Sequence, residues 1–144
     1  GSCTIGLEST VVDLTSKVKI LRPGLINPSD ISKVLNKKTN VYKGAKIIKA
    51  PGMLKRHYSP GIRIKLNQKK AKDNQAFIVF GEKYKKAKNV FNLSRKSNLN
   101  EAARNLYKIL RLIKNKNYKM ICVSSIPKTG IGLAINDRLS RAAK

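Results

Sequence analysis

Two prolines and two glycines fall between Ala50 and Gly61, and they set the first limit on this chain. Proline removes a backbone donor and fixes φ, and glycine adds backbone entropy to any regular element, so neither helix nor strand runs through that stretch. The 144 residues are thereby divided into a first part, 1–48, a connection, 49–61, and a last part, 62–144. The connection is not a generic spacer. Its centre carries Met53, His57 and Tyr58, side chains suited to docking on a surface, where a flexible linker would be rich in Ser and Gly.

In the first part, Thr10-Val11-Val12-Asp13-Leu14 and Val18-Lys19-Ile20-Leu21 read as strands, and Arg22-Pro23-Gly24 turns the chain. Asn27-Pro28-Ser29-Asp30 has the form of a helix start: Asn27 as N-cap, Pro28 pre-set for the first helical position, Asp30 near the positive end of the dipole. A short helix through Leu35 is predicted.

The last part alternates strand and helix signals. Ala76 to Phe80, ending at Gly81, is a continuous apolar run of the kind found in a buried parallel strand, and Val90 to Leu93 is a shorter one. Leu99, Ala102, Ala103, Leu106, Ile109, Leu110 and Ile113 follow the spacing of an amphipathic helix, opened by Asn98 and Glu101 at capping-box spacing. Met120 to Val123 is a further strand, and Gly130-Ile131-Gly132 leads into a last helix. The order β, β, α, β, α predicts a small Rossmann-like α/β sheet. Gly130-x-Gly132 lacks the third glycine of a dinucleotide fingerprint, so tight packing of the turn is the default reading, with anion binding at the helix N-terminus as the rival.

The charge is extreme: 32 Lys plus Arg against 7 Asp plus Glu, a net +25. Such a balance suits a nucleic-acid partner through counterion release. The excess is mostly lysine, the weaker residue for bidentate phosphate contacts, and the dense runs Lys65–Lys72, Lys83–Lys88 and Lys114–Lys119 hold at most one tyrosine each, Tyr84 and Tyr118, short of the repeated aromatics that a single-strand stacking platform needs. A solvated lysine-rich surface is therefore the simpler reading, and a weak attraction for tRNA or double-stranded RNA fits either. The apolar runs are far shorter than the roughly 20 residues of a membrane span, so no membrane partner is expected. Cys3 and Cys122 are widely separated, and with the single histidine they provide no zinc set; both read as free cytosolic thiols. Gly1-Ser2-Cys3-Thr4 lacks the form of a signal peptide and reads as the continuation of a longer chain.

No catalytic triad, carboxylate pair or phosphate loop can be assembled, and no side chain is assigned a catalytic role. The informative residues are three ordered motifs: Gly6-Leu7-Glu8-Ser9-Thr10-Val11-Val12-Asp13-Leu14, then Ile20-Leu21-Arg22-Pro23-Gly24, then Ala50-Pro51-Gly52-Met53 with His57-Tyr58-Ser59-Pro60. In that order and spacing they resemble the C-terminal portion of the two-domain threonylcarbamoyl-AMP synthases, and the ending Gly130 to Ala143 is similar to that family's C-terminal signature. The resemblance implies an α/β fold made of the C-terminal end of a YrdC-like catalytic domain, an active-site linker and a small Rossmann-like domain. It implies a nucleotidyltransferase that joins L-threonine, bicarbonate and ATP into threonylcarbamoyl-AMP and pyrophosphate, with Mg2+ accompanying ATP. The product would feed tRNA threonylcarbamoyltransferase proteins in the cytoplasm.

By motif, Ser9 matches the serine that contacts threonine, and Arg22 and Tyr58 match residues that meet ATP. Thr10 and His57 are secondary candidates, with Glu8 expected to organise the strand start. The family's Lys-x-Arg and Ser-x-Asn elements, which hold ATP and bicarbonate, would lie upstream of Gly1, so this stretch alone is not expected to turn over. Leu54 and Lys55 depart from the family's usual basic and aromatic pair. The alternative from another class is a non-catalytic basic α/β module that binds RNA. Exposed apolar edges are expected around Val11 to Ile20, with a tendency to aggregate.

Overall fold

The computed structural model describes residues 6–15, 17–42 and 59–143; Cys3, Met53, His57 and Tyr58 lie outside the described residues. Strands β1 (Val11–Asp13) and β2 (Lys19–Arg22) pair antiparallel, with a register shift between Val11 and Val12. Asp13 closes the turn after β1 by accepting from the Thr15 backbone N–H at 2.9 Å and its hydroxyl at 2.6 Å. Helix α1 (Pro28–Leu35) then carries the chain to β3 (Asn40–Val41), which lies parallel to β2. As predicted, Asn27 takes the N-cap position of α1 and Pro28 opens it, but the Asn27 side chain makes no cap bond to the helix backbone; the Asp30 carboxylate instead accepts from the Asn27 backbone N–H at 3.4 Å and from its side-chain amide at 3.3 Å. The helix stops where Asn36 takes a left-handed conformation, φ 47°.

The expected apolar exposure is there in part and extends beyond the expected span. Within Val11 to Ile20, Leu14 is exposed while Ile20 is buried in the middle strand; outside it, Leu25, Ile26, Val34 and Leu35 are exposed. Helix α1 buries none of its side chains, and Val34 is 86% exposed. An apolar face of this kind stands ready for a covering surface.

The second sheet is fully parallel, in the order β4 (Ile64–Lys65), β7 (Met120–Val123), β5 (Gln75–Val79), β6 (Val90–Asn92). Helices α2 (Leu99–Lys114) and α3 (Gly132–Ala142) pack into one core against it. The continuous apolar run of β5 is explained by burial on both faces. Ala76 and Ile78 face the helix core, while Phe77 and Val79 face a smaller cluster roofed by Ala71 and Tyr84. The Phe77 and Tyr84 rings meet edge to face at 5.6 Å.

The start of α2 holds by a longer relay than a simple capping box. Asn98 accepts from the Glu101 N–H at 2.9 Å, but the Glu101 carboxylate takes the Ser94 hydroxyl at 2.6 Å, and Ser94 Oγ accepts the Asn98 N–H at 3.0 Å. Gly132 shows what its motif is for. A Cβ there would lie 2.1 Å from the Pro127 carbonyl oxygen, so the residue permits close packing of the turn before α3. Cys122 is a free, buried thiol; burial raises its pKa against a smaller opposing effect of Lys65. That makes it a packing residue rather than a nucleophile. None of the helices described is long and apolar enough to cross a membrane.

Candidate active site

Glu8-Ser9-Thr10 leads into β1 and lies directly against Gly24 in the segment that follows β2. Gly24 makes this possible. A Cβ at that position would stand 2.3 Å from the Thr10 nitrogen and 2.7 Å from the Glu8 carbonyl oxygen, so any side chain would push the two segments apart. Thr10 Oγ1 donates to the Ile26 carbonyl at 3.0 Å and fixes the far side of the same segment.

Across this contact Arg22 reaches Ser9. Its Nε donates to the Ser9 carbonyl at 3.1 Å and its Nη2 to the Ser9 hydroxyl at 3.4 Å. Arg22 is only 8% exposed, so its guanidinium is fixed rather than free to swing. A serine oxygen that accepts from arginine keeps its own proton to donate, which suits recognition of a polar, anionic small molecule beside a fixed positive charge.

Behind this pair lies a charged junction with the second core. Leu7 inserts into the helix core, and Glu8 accepts from the Tyr107 hydroxyl of α2 at 3.1 and 3.2 Å and from Arg138 Nε of α3 at 2.8 Å. Arg138 also donates through Nη2 to the Pro23 carbonyl at 3.1 Å and through Nη1 to Asp137 at 2.6 Å; Arg141 donates to the same Asp137 oxygen at 2.9 Å. The Arg138 side chain has no exposure at all. Burial, the largest single effect, works against its charge, but the hydrogen bond and charge of Glu8 together with the charges of Tyr107 and Asp137 outweigh it, and the guanidinium pKa lies above its ordinary value.

A cavity of about 370 Å³ opens beside Glu8, lined also by Ser59, Pro60, Tyr107, Leu110 and Arg111. The end of the connection therefore enters the second domain alongside Glu8. Among the described residues no three His, Cys, Asp or Glu side chains gather into a metal-binding group.

Of the sequence candidates, Ser9, Thr10 and Arg22 come together, while His57 and Tyr58 lie outside the described residues. Glu8, expected to organise the strand start, instead bonds to the second core. Arg138 and Tyr107 are missing from the sequence candidates. A signal for Arg138 exists: Ile131, Ala134, Ile135, Leu139 and Ala142 are the buried face of α3, and Arg138 stands among them at helical spacing. A charge at a core-facing position announces a buried partner.

Residues 26–144 match the profile of the family described as threonylcarbamoyl-AMP synthase, C-terminal domain. The chain belongs to the threonylcarbamoyl-AMP synthase family. It is 33% identical over 163 aligned positions to the threonylcarbamoyl-AMP synthase of Pyrococcus abyssi, covering 99% of this chain and 47% of that protein. The Bacillus subtilis threonylcarbamoyl-AMP synthase is 30% identical, with 99% of this chain and 47% of that protein covered. The crystal structure of P. abyssi Sua5 complexed with L-threonine superposes with a TM-score of 0.81 at 30% identity, over 99% of this chain and 47% of that one. A second structure of that protein, with an adjacent histidine and tyrosine both changed to alanine, gives 0.77 at 28% identity and covers 99% of this chain and 46% of that one. The chain spans just under half the length of these threonylcarbamoyl-AMP synthases, and its mixed α/β fold with a parallel sheet is theirs.

Proposed function

We propose that this chain supplies one wall of the active site of a complete L-threonylcarbamoyladenylate synthase. The observation that carries the reading is the fixed Ser9–Arg22 pair, a hydroxyl facing a guanidinium at 3.4 Å. In the reaction, bicarbonate carboxylates the threonine amine with loss of water. A carbamate oxygen then attacks the α-phosphorus of ATP, pyrophosphate leaves, and a mixed anhydride, threonylcarbamoyl-AMP, remains. Ser9 holds the threonine, and Arg22 neutralises phosphate oxygens as charge moves onto the leaving group. Thr10 keeps the turn that presents Arg22. Mg2+ enters with ATP as part of the substrate.

Tyr58 and His57 belong to the linker that closes over the nucleotide and excludes water from an anhydride prone to hydrolysis. Two observations support them. Ser59 and Pro60, directly after Tyr58, line the cavity with Glu8, next to Ser9. The chain's single histidine is followed by tyrosine, and an adjacent histidine and tyrosine are the residues changed in the archaeal variant. The test is threonine- and bicarbonate-dependent pyrophosphate release from ATP by the complete protein. Tyr58→Phe is expected to slow it roughly tenfold, the loss of one hydrogen bond to a charged group. A folded complete protein without threonine-dependent release would overturn the synthase reading and leave the RNA-binding module in front.

The product passes to a tRNA threonylcarbamoyltransferase in the cytoplasm, and the basic surface gives tRNA a sequence-independent attraction. The exposed face of α2, with Arg104, Lys108 and Arg111 beside Tyr107, is the observation behind that second reading. Filter binding of tRNA is expected to weaken by about 10³-fold between roughly 50 and 200 mM salt. A flat salt response would rule out a phosphate-contacting surface.

A further inference from the structure

We propose that Arg138, in the last helix, is a positioning residue for the reaction: it holds the two strips that present Ser9 and Arg22 at their working separation. This inference rests on the synthase reading of Ser9 and Arg22. Two acceptors of Arg138 are chain neighbours of site residues. Its Nε grips Glu8, which precedes Ser9, and its Nη2 grips the carbonyl of Pro23, which follows Arg22.

The guanidinium is a rigid planar fork, so the two grips set one distance, and the contacts to Asp137 and of Asp137 to Arg141 fix the orientation of the fork on α3. Gly24 then allows the strips to touch at backbone contact, and Arg22 bridges them from the other side. Arg138 thereby links the accessory domain to both strips, with Tyr107 also bonded to Glu8, and acts without touching substrate. A buried ion pair is weak evidence for stability, since apolar residues of the same volume often do as well. Charge at this core position is better explained by the two polar acceptors it aligns.

The experiment uses the complete enzyme with three variants: Arg138→Lys, Arg138→Met and the double variant Glu8→Gln, Arg138→Met. Melting curves identify a temperature at which each is folded. At that temperature, steady-state pyrophosphate release and hydrogen exchange over residues 8–24 are measured. Arg138→Lys keeps the charge but loses the fork, and kcat should fall by on the order of 10²-fold, the effect of misplacing reacting groups by about 1 Å. The double variant removes the unpaired charge, so its melting temperature should recover towards wild type while its rate does not. In both, exchange at Ser9, Thr10 and Gly24 should quicken by roughly tenfold or more, with the β5 and β7 amides unchanged.

A double variant with recovered stability and wild-type kcat and KM would overturn the proposal, as would unchanged exchange over residues 8–24 in folded Arg138→Lys. Failure of the underlying reading looks different. Wild-type protein without threonine-dependent release, but with faster exchange over residues 8–24 in the variants, would overturn the synthase assignment and retain Arg138 as the residue that sets the strips.

Discussion

Arg22→Ala in the complete enzyme should lower kcat for threonine-dependent pyrophosphate release by about 10²- to 10³-fold, the range lost when one preorganised donor to developing charge is removed. The side chain is buried and already tied through Nε to the Ser9 carbonyl, so it makes no large rearrangement on binding. That preorganisation is why its contribution should appear in kcat rather than in KM alone. Arg22→Lys should recover a minority of the loss, because an ammonium keeps the charge but cannot bond to the Ser9 carbonyl, the Ser9 hydroxyl and a phosphate oxygen in one plane. Steady-state kinetics on variants shown to be folded by circular dichroism would decide it. A rise in KM for ATP with unchanged kcat would place Arg22 in ground-state binding instead.

Gly24→Ala, just after β2, should be strongly destabilising. The new carbon would sit 2.3 Å from one backbone nitrogen and 2.5 Å from a backbone carbonyl carbon, neither of which can swing aside as a side chain would. Separating the strips loosens the Thr10–Ile26 and Arg22–Ser9 bonds together. We expect about 3 kcal/mol of destabilisation, at the upper end of ordinary overpacking, seen as a lower denaturant midpoint with an unchanged slope. A midpoint within error of wild type would mean that the close approach is not maintained in solution.

How far this was legible beforehand depends on how local each signal is. Helix α2 was legible from its own residues, because the apolar spacing of Leu99 to Ile113 and the Asn98 cap lie within one segment. The apolar run of β5 and the Pro28 start of α1 were legible for the same reason. Strand β3 has two residues and exists because β2 offers a parallel edge, Lys19 pairing with Asn40 and Ile20 with Val41, so nothing in Asn40-Val41 announces it. Strand β4 was also absent from the expectation, although Ile62-Arg63-Ile64-Lys65-Leu66 has the alternating signature. In the site, the motifs brought out Ser9 and Arg22, and the structure adds why Gly24 stands beside them. For Arg138 the local pattern announces only that a buried charge needs a partner; which partner was not legible, because its relation to Glu8 spans 130 positions.

That span has a consequence for synthesis. Closing a loop of this size carries an entropy cost that grows slowly with length, so the Glu8–Arg138 grip is affordable once formed but cannot form before both ends exist. Ribosomes release residues in order, and domains fold largely as they emerge. The strips bearing Ser9 and Arg22 therefore leave the ribosome more than a hundred residues before the side chain that sets their spacing. A nascent chain stalled short of α3 would carry both Ser9 and Arg22 in its sequence and still lack the side chain that grips Glu8 and Pro23 beside them.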